Sequence, residues 1–342
     1  MVSTSNGTGI YHRESEGVSH RSSSPRSFQA QRDREAGIVT PSDIDVVYIA
    51  SNGRSGSTLL LRLLGTPERH VAIGELHDIW KDNWRTGETT CSCGKALQEC
   101  EFWNAVMQEA FGEFSENDAQ HVLSLRRSTL GARYLPFLAF PNLRPKYYQR
   151  RLEEYAAILG ATYRAIQEVS GCDVIVDSSK RPTTAMALME IPGIRPKMIH
   201  LVRDSRGCVY SWRKRGRRNA IFFAKRWAFN QLFSSFASRR FDTYCAYRYE
   251  DFAANPRGVL ADMAGSLGFS EDTVFPFVSD TDVILREGHV VSGNLNRFSQ
   301  GEIAIRPDLE WKDRMPTREK LIVAFLTLPW LLKYRYVLSS RS

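Results

Sequence analysis

The chain has 342 residues, a formal net charge of +8 and a hydrophobic content of 42%. That length and apolar fraction suffice for one large domain or two modest ones and exclude a chain that is disordered throughout. The basic excess indicates an anionic partner without choosing among nucleotide, glycan, lipid surface and nucleic acid, and six cysteines with no visible secretion signal argue against a disulfide scaffold.

Residues 1–42 are rich in Ser, Arg and Gly and poor in aliphatic side chains, so they predict a flexible tail ahead of a domain at 43–342. From Asp45 onward, apolar runs alternate with helical patterns. "VVYIAS" (46–51), "VAIGEL" (71–76), "DVIVDSS" (173–179), "MIHLVRD" (198–204) and "YCAYRYEDF" (244–252) read as strands. Because these runs are continuous rather than alternating, they suit strands covered on both faces, hence an α/β fold with a mainly parallel sheet of about five strands flanked by helices. Residues 77–170 show no such strands and predict a helical insertion shaped as a lid. In it, Tyr148, Leu152, Tyr155, Leu159 and Ile166 form one stripe that stops at Gly171. Near the end, "LIVAFLTLPWLLKY" is too short for a membrane span and is interrupted by Pro329; it reads as a docked helix, with weak contact to a membrane surface as the alternative. A soluble, cytoplasmic protein is the expectation.

Two turns carry candidate chemistry. In "SNGRSGST" (51–58), a strand feeds a Gly-containing turn and then a helix, which aims backbone N–H groups and a positive helix end at one anion. Gly53 and Gly56 permit the turn, Ser57 and Thr58 supply hydroxyls, and Arg54 supplies a planar cation. Ser57 stands where a nucleotide-hydrolysing loop has its Lys, which argues against ATP or GTP hydrolysis. In "MIHLVRDSRGCVYSWRKRG", Arg203 ends a strand and Ser211 follows about two helical turns on, so both could face one phosphate; local pairing of Arg203 with Asp204 is the alternative. The basic run Arg213, Lys214, Arg215, Arg217, Arg218, Lys225 and Arg226 follows. It lacks the interleaved aromatics of a nucleic-acid platform and suits a solvated face or the steering of an anion.

The loop "GRSGST" followed far downstream by "LVRDSRGCVYSWRKR" resembles the sulfotransferases that use 3'-phosphoadenosine 5'-phosphosulfate (PAPS). The resemblance covers the chain from about residue 44 and is to the Arg-loop type found in carbohydrate and protein-tyrosine sulfotransferases. It implies a P-loop-like sulfotransferase fold, Arg54–Thr58 on the 5'-phosphosulfate, and Arg203 and Ser211 on the 3'-phosphate. It also implies that Gly293, Asn294 and Arg297 of "HVVSGNLNRFSQG" lie near that phosphate, that Lys180 of "IVDSSKRP" contacts the transferring group, and that Glu75 is the catalytic base. His77 is the rival base. In-line transfer of this kind needs no metal and no redox cofactor. A small-molecule kinase and a non-catalytic polyanion-binding protein are the other readings.

The acceptor, whether glycan, lipid or small alcohol or phenol, is not written in the sequence. Trp80, Trp84, Trp103, Tyr134 and Phe137 of the insertion would line its pocket or pack a core. "CSCGKALQEC" gathers Cys91, Cys93 and Cys100; a zinc site, a disulfide and reduced thiols are all open, and no fourth ligand is evident beyond His70 or His77.

Overall fold

The computed structural model describes residues 43–80, 89–217 and 219–337; the expected tail at 1–42, and with it Trp84 and Arg218, lie outside the described residues. Five strands form one parallel sheet: β1 (Ile44–Ser51), β2 (His70–Gly74), β3 (Val174–Lys180), β4 (Ile194–Val202) and β5 (Tyr244–Arg248), in the order β2-β3-β1-β4-β5. The Val- and Ile-rich β1 lies at the centre, with Val46, Val47 and Ile49 fully buried. Burying such side chains contributes about 1.5–3 kcal/mol each, and β-branched residues suit the pleated backbone. The chain leaves β1 toward β2 on one side, and β4 returns on the other. The carboxyl end of β1 is therefore a topological switch point, where diverging loops open a crevice.

Helices cover both faces: α1 (Ser57–Leu64), α2 (Glu101–Phe111), α3 (Glu116–Thr129), α4 (Lys146–Ser170), α5 (Pro182–Leu188), α6 (Ser205–Arg213), α7 (Ala220–Ala237), α8 (Tyr249–Ala254), α9 (Pro256–Leu267) and α10 (Thr317–Lys333). A small antiparallel pair, β6 (Asp282–Leu285) and β7 (Gly301–Ala304), follows α9. The expected strand at 244–252 is shorter than the apolar pattern suggests: it stops at Arg248, and Glu250 and Asp251 occupy the first turn of α8, where acidic residues favour a helix.

Between β2 and β3 the described chain is helical, as expected. All five residues of the predicted α4 stripe are buried, and the helix stops at Gly171, whose φ of 64° is the left-handed conformation of a C-terminal cap. Trp80 and Trp103 are fully buried, and Tyr134 and Phe137 pack against Tyr148, so these aromatics build the core of the insertion. The terminal helix α10 docks on α7 through Val323, Thr327 and Leu331, with Leu321 and Phe325 facing outward. No helix among the described residues is long and apolar enough to cross a membrane.

Candidate active site

A cavity of about 740 Å³ opens at the carboxyl ends of β1, β2 and β3. Its floor is the turn between β1 and α1. Gly56 adopts φ 85°, and a Cβ there would stand 2.6 Å from the ring of Tyr249; a Cβ on Gly53 would stand 2.7 Å from Trp212. Both positions therefore demand glycine. Neither a capping side chain nor an acidic residue occupies the first turn of α1. Its free N–H groups and positive end are thus directed at the cavity, which Ser57 and Thr58 also line.

Arg54 holds φ 75° and Lys180 φ 66°, conformations that cost a non-glycine residue about 1–3 kcal/mol and persist where the surroundings over-determine them. For Arg54 the surroundings are explicit. Its Nε donates to Ser211 Oγ at 2.9 Å, and its carbonyl accepts from Arg203 Nη1 at 2.9 Å. Arg203 is itself buried against the face of Tyr249 and paired with Asp308 at 3.0 Å. Its Nε finds no partner among the described residues. The suggested local pairing of Arg203 with Asp204 does not form: Asp204 instead caps α6 and binds Arg206 at 2.6 Å. Because Asp204 occupies that helix start, any anion binding there falls to side chains.

Across the cavity, Glu75 follows β2 and accepts from the Lys180 ammonium. Gly74 precedes it with φ 90°, and a Cβ at Gly74 would meet the Val291 carbonyl at 2.2 Å, so only glycine lets segment 290–294 pass this close. That segment is stitched in place: Val291 N donates to Ile73 O at 2.9 Å and Glu75 N to Val291 O at 2.8 Å. Asn294 N donates to Thr58 Oγ1 at 3.2 Å, and a Cβ on Gly293 would lie 3.5 Å from Glu75 Oε1. His77 stands beside Glu75, with Nε2 3.2 Å from Asp78 Oδ1 and its amide donating to Ser179 Oγ, and one of its ring nitrogens lies within 4.8 Å of a Glu75 carboxylate oxygen.

Of the sequence-predicted residues, Arg54, Gly56, Ser57, Thr58, Glu75, Lys180, Gly293 and Asn294 line this one cavity, as does the rival base His77. Ser55, Arg203, Ser211 and Arg297 lie behind its walls: Ser55 Oγ donates to Asn52 O at 2.6 Å and Arg297 Nη1 to Gly293 O at 3.2 Å. Sequence reasoning missed the aromatic lining from α6 and α7, namely Trp212, Phe229 and Phe233, and the cation Arg181. The basic run divides. Arg213 and Lys214 pair with Glu319 and Glu310, whereas Arg215 and Arg226 turn into the cavity.

Five cations, Arg54, Lys180, Arg181, Arg215 and Arg226, thus face two carboxylates, Glu75 and Asp78. The guanidinium of Arg54 is held below its ordinary range by burial and then by the positive charges of Arg215 and Arg203; that of Arg226 by burial and then by Arg181. Cations that depress one another in this way form a site electrostatically prepared for an anion.

No family model and no curated protein matches the chain. Among solved structures, it is similar to the sulfotransferase domain of the Synechococcus PCC 7002 olefin synthase, at 20% identity over 85% of this chain and 97% of that one, with a TM-score of 0.46. The sulfotransferase domain from the curacin biosynthetic pathway is similar at 14% identity over 84% and 98% of the two chains, with a TM-score of 0.43. Sulfotransferase STF1 from Mycobacterium tuberculosis H37Rv is similar at 15% identity over 72% of each chain, with a TM-score of 0.41.

Proposed function

We propose that the cavity binds PAPS and transfers its sulfuryl group to a hydroxyl of a glycan, lipid, or small alcohol or phenol. The observation that carries this reading is the convergence of the uncapped α1 start, Arg54 and the Glu75–Lys180 pair on one cation-rich cavity. The 5'-phosphosulfate would lie on the α1 start and Arg54. The 3'-phosphate would draw on Arg203 and Ser211, which reach the same turn from behind, and on the segment carrying Gly293, Asn294 and Arg297.

In the reaction, the acceptor oxygen attacks sulfur and forms a new O–S bond as the bond between sulfur and the 5'-phosphate oxygen breaks. The acceptor proton passes to Glu75, and adenosine 3',5'-bisphosphate leaves. Arg54, Lys180 and the loop N–H groups stabilise the charge that grows on the departing oxygen, a contribution worth about 10²–10³ in rate per preorganised donor. Glu75 is preferred to His77 as the base because Lys180 holds it beside Gly293, whereas the ring of His77 is engaged with Asp78. Phe229 and Phe233 offer an apolar wall to the acceptor and Arg181 and Arg226 a cationic one.

The test is incubation with sulfur-labelled PAPS and a panel of glycans, lipids and phenols, alongside ATP with Mg²⁺. Label transfer from PAPS that disappears in Lys180→Ala is expected. Phosphoryl transfer from ATP, or no turnover of either donor with any acceptor, would overturn the proposal.

A further inference from the structure

Outside the cavity lining, Cys91, Cys93 and Cys100 meet a residue from far along the sequence, His289. The three Sγ atoms and a ring nitrogen of His289 all lie within 4.8 Å of one another. Cys93 Sγ is 3.7 Å from Cys100 Sγ, and His289 Nδ1 is 3.8 Å from Cys91 Sγ and 3.3 Å from Cys100 Sγ. All three thiols are free cysteines. For tetrahedral zinc, with Zn–S of about 2.3 Å and Zn–N of about 2.0–2.1 Å, ligand–ligand edges come to roughly 3.8 Å between sulfurs and roughly 3.6 Å between sulfur and nitrogen. The observed spacings fit those edges. From them we infer that Cys91, Cys93, Cys100 and His289 form a structural zinc site, independent of the reaction assigned to the cavity.

The surroundings are built for a closed site. The chain turns tightly around the first two thiols: Gly94, with φ 86°, donates its N–H to Cys91 O at 2.9 Å, and Cys91 N donates to Lys95 O at 2.9 Å. His289 is held at its backbone and at its ring. Phe102 stacks on it at 4.9 Å with the ring planes 12° apart, and Trp103 Nε1 donates to the His289 carbonyl at 2.8 Å. Ser92, between the two thiols, donates through Oγ to Gly288 O at 2.5 Å and accepts there from Val290 N at 2.8 Å. Three thiolates and one imidazole complete a tetrahedral shell with no open position, the pattern of a structural rather than a catalytic centre.

The ion would clamp the insertion to the segment that continues through Val291 into Gly293 and Asn294. Zinc at this place therefore fixes the cavity's far wall, whatever the cavity binds. Binding requires the thiols to lose their protons, and the ligands come from two distant parts of the chain, so the metal's binding energy adds to the stability of that junction.

The experiment is metal analysis of the full chain purified without chelator, followed by cobalt substitution. About one zinc per chain is expected, released when an organomercurial blocks the cluster thiols, and the cobalt form should show the visible bands of tetrahedral thiolate coordination. Cys93→Ser and His289→Ala should each lower bound zinc at least tenfold. Wild-type metal content and the cobalt spectrum do not depend on whether these variants fold. Stoichiometric iron, a mapped disulfide between any two of the three cysteines, or protein without metal that takes up neither zinc nor cobalt would overturn the inference.

Discussion

The two walls of the cavity are held by different means. On the β1 side, Arg54 and the start of α1 are fixed by the central strand and by Ser211 and Arg203, which enter from the adjacent β4 and α6. On the other side, Gly293 and Asn294 belong to an irregular segment that rests on Glu75 and Thr58 and is tied at one end to the cysteine–histidine cluster. The first wall inherits the rigidity of a buried parallel sheet. The second is as firm as its cross-links, so perturbations should affect the two walls unequally.

The largest effects are expected at the groups assigned to the reaction itself, one on each side of the cavity. Arg54→Ala should lower sulfuryl transfer by about 10²–10³-fold with the circular dichroism spectrum unchanged, because it deletes a preorganised cation without touching the core. Glu75→Gln should lower kcat by about 10²–10⁴-fold while leaving the donor's dissociation constant near its wild-type value, since the amide cannot take the acceptor proton. Equal loss of binding and turnover would assign Glu75 to holding Lys180 rather than to proton transfer.

A smaller effect tests the second wall. Stripping metal from the full chain should lower the melting temperature and weaken the binding of adenosine 3',5'-bisphosphate by a factor on the order of ten, the equivalent of about one ordered hydrogen-bonded contact. An equal loss in Arg54→Ala protein, measured at higher ligand concentration, would show that the walls act independently.

The smallest effect concerns pH. Burial keeps His200 neutral, pushing its pKa down to about 3 from 6.5, so acidification below 6.5 favours the unfolded chain, which alone gains that proton. Burial raises Asp177, beside the site, to about 6 from 3.8, so the folded chain gains its proton first and stability increases as pH falls through that interval. In Asp177→Asn this carboxyl no longer opposes the His200 slope, and the variant's melting temperature should fall more steeply than wild type between pH 6 and 4.

How much was legible in the sequence follows the same division. The β1 turn and the β4–α6 turn are local patterns, a strand run into a helix with glycines where the backbone needs them, and both lie where the run of apolar residues places them. Lys180 and Glu75 were legible because each closes a strand of a parallel sheet, whose carboxyl ends share one edge. His289 was not, because 189 residues separate it from Cys100 and nothing near it in sequence marks it as a ligand. A search for a histidine followed closely by glycine-bearing loop residues would have singled out "HVVSGN", yet only the pairing of Val290 and Val291 with Ser92 and Cys91 shows which cysteines it meets. For the aromatics of the insertion the sequence left pocket lining and core packing both open; Trp80 and Trp103 are fully buried, and Tyr134 and Phe137 pack on Tyr148.

Calorimetric titration of the full chain with adenosine 3',5'-bisphosphate tests the central claim most directly. One saturable site is expected, weakened at least tenfold in Arg54→Ala and weakened by added salt as charge pairing requires. Absence of binding at millimolar ligand, or binding that Arg54→Ala leaves intact, would contradict a donor held on the β1 turn.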